Sequence, residues 1–327
     1  MPHNDRVVLF RKETAVMNIL FMGTPEFAIP SLKSLLEHDY NVVGVVTQPD
    51  KPKGRGRKYI APPVKISALK AGIPVYQPGR VRDESFLEIF RKISPDMVVL
   101  VAFGQILPKE IIDFPRFGCI NVHPSLLPKY RGAAPINWSI INGEEKTGIT
   151  IMRMDEGVDS GDILLQKETG IGIVDTFDDL HEKLSSIGAE LLIRAVEGVI
   201  DGTLKGTPQD GSLATFAPRL ARDAGYINWD NEAEKIVNFI RGLSSHPGAY
   251  SFLGDKKLKI FYAVAGKEKS SGEKTPGEIG RLMEAGLQVT AKDGHLYLKD
   301  VQLEGRKRML IEDFLRGHRL DPGDTLE

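Results

Sequence analysis

The chain has 327 residues, 41% of them hydrophobic and 27% charged, with a formal net charge of −1. These are values of an ordinary globular protein of about two domains, and the overall charge does not advertise a nucleic-acid partner. One cysteine, Cys119, excludes an internal disulfide framework and a cysteine-rich zinc site, and no run nears the roughly 20 apolar residues that a spanning helix needs.

Met1 to Thr14 is charged and mixed, with no apolar signal region, so a cytoplasmic, reducing location is expected. Residues 1–16 read as an N-terminal extension, either flexible or an edge strand through Val7 to Phe10. The organised chain starts at Met17. Ile19 to Met22 is an apolar run ending at Gly23. Thr24, Pro25 and Glu26 then suit the start of a helix reaching about Glu37. Val42 to Thr47 is a second apolar run. Helical patterns at about 62–71 and 83–93 flank an extended Pro74-Val75-Tyr76. Met97 to Ala102 and Gly118 to His123 are two further buried strands. Continuous apolar runs separated by helices predict a parallel sheet covered on both faces. Ligands bind such sheets beyond the carboxyl ends of the strands, where Gly23, Thr47, Ala102 and His123 fall.

A helix through Ile136 and Ile140 follows, then a strand from Thr147 to Met154 and a long helix over about 176–200. The Gly/Pro-rich stretch 203–225 reads as a linker. From Tyr226 the pattern changes to one helix, about 231–243, and short strand-like runs punctuated by Gly254, Gly266, Gly286 and Gly294. That pattern predicts a small antiparallel barrel of OB type.

The most informative stretch is Asn121-Val122-His123-Pro124-Ser125-Leu126-Leu127-Pro128-Lys129-Tyr130-Arg131-Gly132. Residues two apart on a strand share a face, so Asn121 and His123 aim an amide and an imidazole at one space. A donor beside a base suits a reaction that builds negative charge on a carbonyl oxygen. The run resembles the signature of the folate-dependent formyltransferases. The segment Met154-Asp155-Glu156-Gly157-Val158-Asp159-Ser160-Gly161-Asp162 is similar to that family's second catalytic loop. The resemblance implies Asn121, His123 and Asp159 as catalytic residues, with Ser160 a mild departure from the usual Thr or Gly. It also implies a folate site lined by Ser125, Leu126, Leu127 and Pro128 on one wall and by Phe103, Gln105, Ile106 and Leu107 on the other.

Gly23-Thr24-Pro25-Glu26-Phe27 lacks the later glycines of a dinucleotide loop, and no Walker sequence occurs, which argues against nucleotide binding. It is similar to the opening of the tRNA-acting branch of the same family. Lys51-Pro52-Lys53-Gly54-Arg55-Gly56-Arg57-Lys58 holds five cations in eight residues. Its Gly-Arg-Gly core after Thr47-Gln48-Pro49-Asp50 resembles that branch's tRNA-wedging loop, which implies tRNA contacts from Lys51, Lys53, Arg55, Arg57 and Lys58. Residues 226–327 carry 16 Lys+Arg against 16 Asp+Glu. Any RNA contact there needs a basic face, with Lys256-Lys257-x-Lys259 and Arg306-Lys307-Arg308 as candidates. The spacing of Asp155, Asp159 and Asp162 does not fit an EF-hand. His246 reads as structural.

The expected fold is α/β, with a Rossmann-like, mostly parallel N-terminal formyltransferase domain at 17–202 and a small C-terminal OB-like β-barrel domain at 226–327. The resemblance implies formyl transfer from 10-formyltetrahydrofolate to the α-amine of methionyl initiator tRNA. Nothing in the sequence demands more than a monomer, and no metal or membrane is expected. Three rivals stay open: a formyltransferase acting on an amino sugar nucleotide, a hydrolase releasing formate from the same folate, and an RNA-binding protein without activity.

Overall fold

A strand buried on both faces needs an apolar residue at every position, and Ile19, Leu20, Phe21 and Met22 supply one. The computed structural model describes residues 17–53, 58–221, 223–269 and 275–327. The chain divides into two units. The expected edge strand at Val7 to Phe10 lies outside the described residues.

The first unit takes Met1–Val122, Arg153–Glu156 and Leu192–Lys205. Its elements are β1 (Asn18–Gly23), α1 (Ile29–Glu37), β2 (Asn41–Val46), β3 (Lys51–Lys53), β4 (Lys58–Ile60), α2 (Pro63–Lys70), β5 (Val75–Tyr76), α3 (Glu84–Ile93), β6 (Met97–Val101), α4 (Lys109–Ile112) and β7 (Cys119–His123). β1 pairs in parallel with β2 and β6, β2 with β5, and β6 with β7. The expected parallel sheet is therefore present, in the order β5-β2-β1-β6-β7. Phe86, Leu87 and Phe90 of α3 bury one face against Leu20, Val98 and Leu100.

The start of α1 departs from expectation. Glu26–Ala28 is a 3₁₀ turn, and the α-helix begins only at Ile29. Pro30 lacks an N–H and crowds the carbonyl four residues back, so one continuous helix from Pro25 cannot form. Thr24 caps nothing. Its hydroxyl donates to the Phe103 carbonyl at 3.1 Å and accepts from the Gln48 N–H at 3.4 Å, tying three strand-end loops together.

The second unit takes His123–Met152, Gly157–Leu191 and Gly206–Glu327. Its first elements are β8 (Arg131–Gly132), α5 (Pro135–Ile141), β9 (Lys146–Arg153), β10 (Ile163–Gly170), α6 (Phe177–Ile200) and β11 (Phe216–Ala217). β10 pairs antiparallel with β9 and was not foreseen. Its Gln166-Lys167-Glu168 run is exposed and polar, which hides it from an apolar-run reading and also guards a strand edge.

The stretch 203–225 is more than a tether. β11 pairs in parallel with β8, Thr207 bridges to Ile163, and the Pro218 carbonyl accepts the Trp138 indole N–H at 2.8 Å. α7 (Ala233–Leu243) then packs on α5, where Asn137 donates to the Gly242 carbonyl at 2.8 Å. A Cβ on Gly242 would meet Ile141 at 2.7 Å, so the close approach depends on glycine.

The remaining elements are β12 (Ala249–Leu253), β13 (Lys256–Lys269), β14 (Ile279–Met283), β15 (Gly286–Thr290), β16 (Gly294–Leu303), β17 (Met309–Leu310) and α8 (Ile311–Gly317). They form an antiparallel sheet in the order β12-β13-β16-β15-β14, with β17 on β16. Residues 323–327 stitch its two edges. Ile279 N–H donates to the Asp324 carbonyl and Leu326 N–H to the Gly277 carbonyl, while Phe252 and Glu327 exchange a pair of backbone bonds. The buried side chain of Leu326 joins the barrel core with Trp229 and Ile279. Leu326→Ala is expected to cost about 2–4 kcal/mol, as for other Leu truncations in cores, read by urea unfolding. An unchanged unfolding midpoint would show that the tail is dispensable to closure.

Candidate active site

β7 delivers Asn121 and His123 at its carboxyl end, and His123 is only 4% exposed. Its Nε2 lies 3.0 Å from the carbonyl oxygen of Tyr130. A carbonyl can only accept, so Nε2 carries the hydrogen. Nδ1 is therefore the nitrogen left for chemistry. It points toward Asp159, with Oδ2 at 3.6 Å. That separation suits charge attraction but is too long for a direct hydrogen bond. The same Oδ2 accepts the Gly132 N–H at 2.8 Å.

Both residues that frame the imidazole have backbones in the left-handed region, Tyr130 at φ 63° and Asp159 at φ 49°. A non-glycine residue there costs on the order of 1 kcal/mol and persists only where surrounding contacts impose it. For Tyr130 those contacts are present. Its N–H donates to the Thr215 hydroxyl at 2.9 Å, and its phenol donates to Glu144 at 2.8 Å and accepts from Asn142 at 3.2 Å. Burial, reinforced by the Glu144 carboxylate, pushes the phenol up to about 12. Tyr130 stays neutral, and its fixed carbonyl sets the imidazole's orientation.

The formyl transferase family model matches residues 17–196, and the model of the formyl transferase C-terminal domain matches residues 219–319. The methionyl-tRNA formyltransferase of Syntrophus aciditrophicus (strain SB) is 56% identical over 312 residues, covering 95% of this chain and 99% of that one. The chain belongs to the methionyl-tRNA formyltransferase family. A second member, from Citrifermentans bemidjiense, is 49% identical over 95% of this chain and 96% of its own. Two solved structures share the fold. The sugar 3N-formyltransferase WlaRD, in the presence of dTDP and 5-N-formyl-THF, has a TM-score of 0.65 at 21% identity, covering 89% of this chain and 99% of that one. HypX from Aquifex aeolicus in complex with tetrahydrofolic acid has a TM-score of 0.64 at 18% identity, covering 92% of this chain and 47% of that one.

The residues expected at a folate site have unequal surroundings. Ser125 is fully buried, and its hydroxyl donates to the Lys129 carbonyl at 2.7 Å. Leu127 is buried as well, its N–H held by Thr150 Oγ1 and its carbonyl by Gln166. Leu126 and Pro128 are the partly exposed pair of that loop. On the other loop Phe103 and Leu107 are buried, and Gln105 spends its amide on the Val81 N–H and the Gly79 carbonyl. Ile106 is 82% exposed. Ser125, Leu127, Phe103, Gln105 and Leu107 therefore shape the loops, while Leu126 and Pro128 are half-buried and Ile106 is presented outward.

The described ends of the basic run lie on two paired strands. β3 pairs antiparallel with β4, Lys51 opposite Ile60 and Lys53 opposite Lys58. Arg55 and Arg57, expected in the run, lie outside the described residues. Lys51 is exposed, and Tyr59 and Ile60 beside it are exposed apolar groups. The base of the pair is pinned at Asp50, which accepts from Gln77 at 2.7 Å and from Lys65 at 2.8 Å. Those bonds, Gln77's first, hold its carboxyl below the usual range.

Cys119 is a core thiol. It donates to the Ile111 carbonyl at 3.4 Å, and burial pushes it up to about 12, so it is a poor nucleophile at neutral pH. The sequence pattern did not point to Tyr130 or Thr215 as partners in this arrangement. Tyr130 sits inside the signature run, and nothing in the composition of 203–225 marks Thr215.

Proposed function

We propose that this chain transfers the formyl group of 10-formyltetrahydrofolate to the α-amine of methionine on initiator tRNA, in the cytoplasm, as a monomer. The observation that carries the reading is the near-full-length identity to methionyl-tRNA formyltransferases. The His123–Tyr130–Asp159 arrangement supports it by supplying one oriented imidazole nitrogen beside a carboxylate. Catalysis is assigned to residues 17–202, and contacts to the tRNA backbone to 226–327.

The neutral amine attacks the formyl carbon, and the carbonyl oxygen becomes an oxyanion. The Asn121 amide and a protonated His123 Nδ1 donate hydrogen bonds to it, each such donor worth about 3–4 kcal/mol to the transition state. Asp159 holds the positive charge at Nδ1 and relays the amine's proton, directly or through water, to the departing folate nitrogen. The bond from the formyl carbon to that nitrogen breaks as the new amide forms. General acid–base assistance of this kind contributes about 10²–10⁴-fold. The folate itself supplies the activated one-carbon group. Leu126 and Pro128 supply apolar surface for its ring.

Lys51, Lys53, Arg55, Arg57 and Lys58 neutralise phosphates of the acceptor stem. Formylation of methionyl initiator tRNA should therefore weaken with salt. Arg55→Ala should lower kcat/KM for tRNA about tenfold or more, as expected for losing a charged hydrogen bond. The test is formylation of that tRNA, with a UDP-amino sugar and a reaction without acceptor run in parallel. Turnover with the sugar alone, or formate release alone, would overturn the substrate assignment.

A further inference from the structure

Gln209 lies in the stretch expected as a linker, 50 residues from Asp159 in sequence. Both of its amide hydrogens go to the catalytic loop. Nε2 donates to the Asp159 carbonyl at 2.9 Å and to the Gly161 carbonyl at 2.7 Å. Its Oε1 accepts from Arg131, at 3.1 Å from Nε and 2.7 Å from Nη2. Arg131 is the neighbour of Tyr130, whose carbonyl orients His123, and of Gly132, whose N–H holds the Asp159 carboxylate. One side chain thus joins the loop carrying the carboxylate to the loop carrying the imidazole's anchor. A primary amide can donate twice on one side and accept a guanidinium fork on the other. A glutamate could only accept.

We infer that Gln209 is a positioning residue for the formyl transfer proposed above, holding Asp159 in its left-handed conformation so that the carboxylate stays beside His123 Nδ1. The inference rests on that functional reading. Without the two donations, the left-handed backbone at Asp159 loses two of its restraints, and its carboxylate shifts relative to the imidazole. Misplacement of about 1 Å costs roughly 10²-fold in rate. Loss should fall on kcat, because no substrate contact is removed.

The test compares Gln209→Ala and Gln209→Glu, each alone and combined with Asp159→Asn, in formylation of methionyl initiator tRNA. Gln209→Ala should lower kcat about 10–100-fold with both KM values little changed. Gln209→Glu gains an ion pair with Arg131 yet places its carboxylate against two carbonyls, so it should lose at least as much. Added to Asp159→Asn, either change should have little further effect, because the two residues act through one group. Gln209→Glu with wild-type kcat, or full additivity with Asp159→Asn, would overturn the inference. Wild-type protein with no formylation at all would strike the functional reading instead.

Discussion

Asp159→Asn and His123→Ala should each lower kcat for formylation by about 10²–10⁴-fold while leaving KM for tRNA nearly unchanged. His123 Nε2 is fixed on the Tyr130 carbonyl at 3.0 Å, so Nδ1 alone can serve the reacting group. Asp159→Asn keeps the shape and an acceptor for the Gly132 N–H, but removes the charge that lies 3.6 Å from Nδ1. An interaction gained only as charge develops appears in kcat rather than in binding. Asn121→Ala removes the second donor and should cost about 10²–10³-fold. Single-turnover kinetics with saturating folate would separate these effects from product release. Near-normal turnover in any of the three would remove that residue from the mechanism.

Gly132→Ala should damage both stability and turnover. Gly132 sits at φ 121°, and a Cβ there would lie 2.7 Å from the Ala217 carbonyl oxygen. That oxygen already accepts the N–H groups of Ala133 and Ala134, so it cannot easily withdraw. Strain at the substituted residue and displacement of β11 together should cost about 2–4 kcal/mol. The Gly132 N–H also holds the Asp159 carboxylate at 2.8 Å, so its movement reaches the site directly. Urea unfolding and kcat should fall together, kcat by about 100-fold. A variant with wild-type stability and rate would show that β8 and β11 are free to separate.

The same local geometry explains how the site tolerates two non-glycine residues in the left-handed region. Tyr130 is clamped at its N–H, its carbonyl and its phenol. The backbone around Asp159 is held through Gln209, and its carboxylate through Gly132. The strain is maintained by contacts from the 206–217 stretch, which sequence composition presents as loose. A Gly/Pro-rich segment need not be mobile when its backbone groups pair with a neighbouring loop.

The sequence by itself determined the parallel sheet, because strands buried on both faces must be apolar throughout, as Ile19–Met22 and Met97–Val101 are. It determined the C-terminal antiparallel strands, because short apolar runs alternate with glycine-containing turns such as that at Gly254, although Gly266, expected as a break, lies inside β13. It also placed Asn121 and His123 on one face of β7, through the two-residue period of a strand. Only the tertiary structure decided which imidazole nitrogen is free, because the deciding group is the Tyr130 backbone carbonyl, which no side-chain pattern encodes. Only the fold brought Thr215 to Tyr130 across 85 residues and Gln209 to Asp159 across 50. The stitching of the barrel by residues 323–327 was equally invisible, as was the polar edge strand β10. Hydrogen bonds between distant segments impose no periodicity on either partner, and a polar residue satisfied by a far loop reads locally like one facing water.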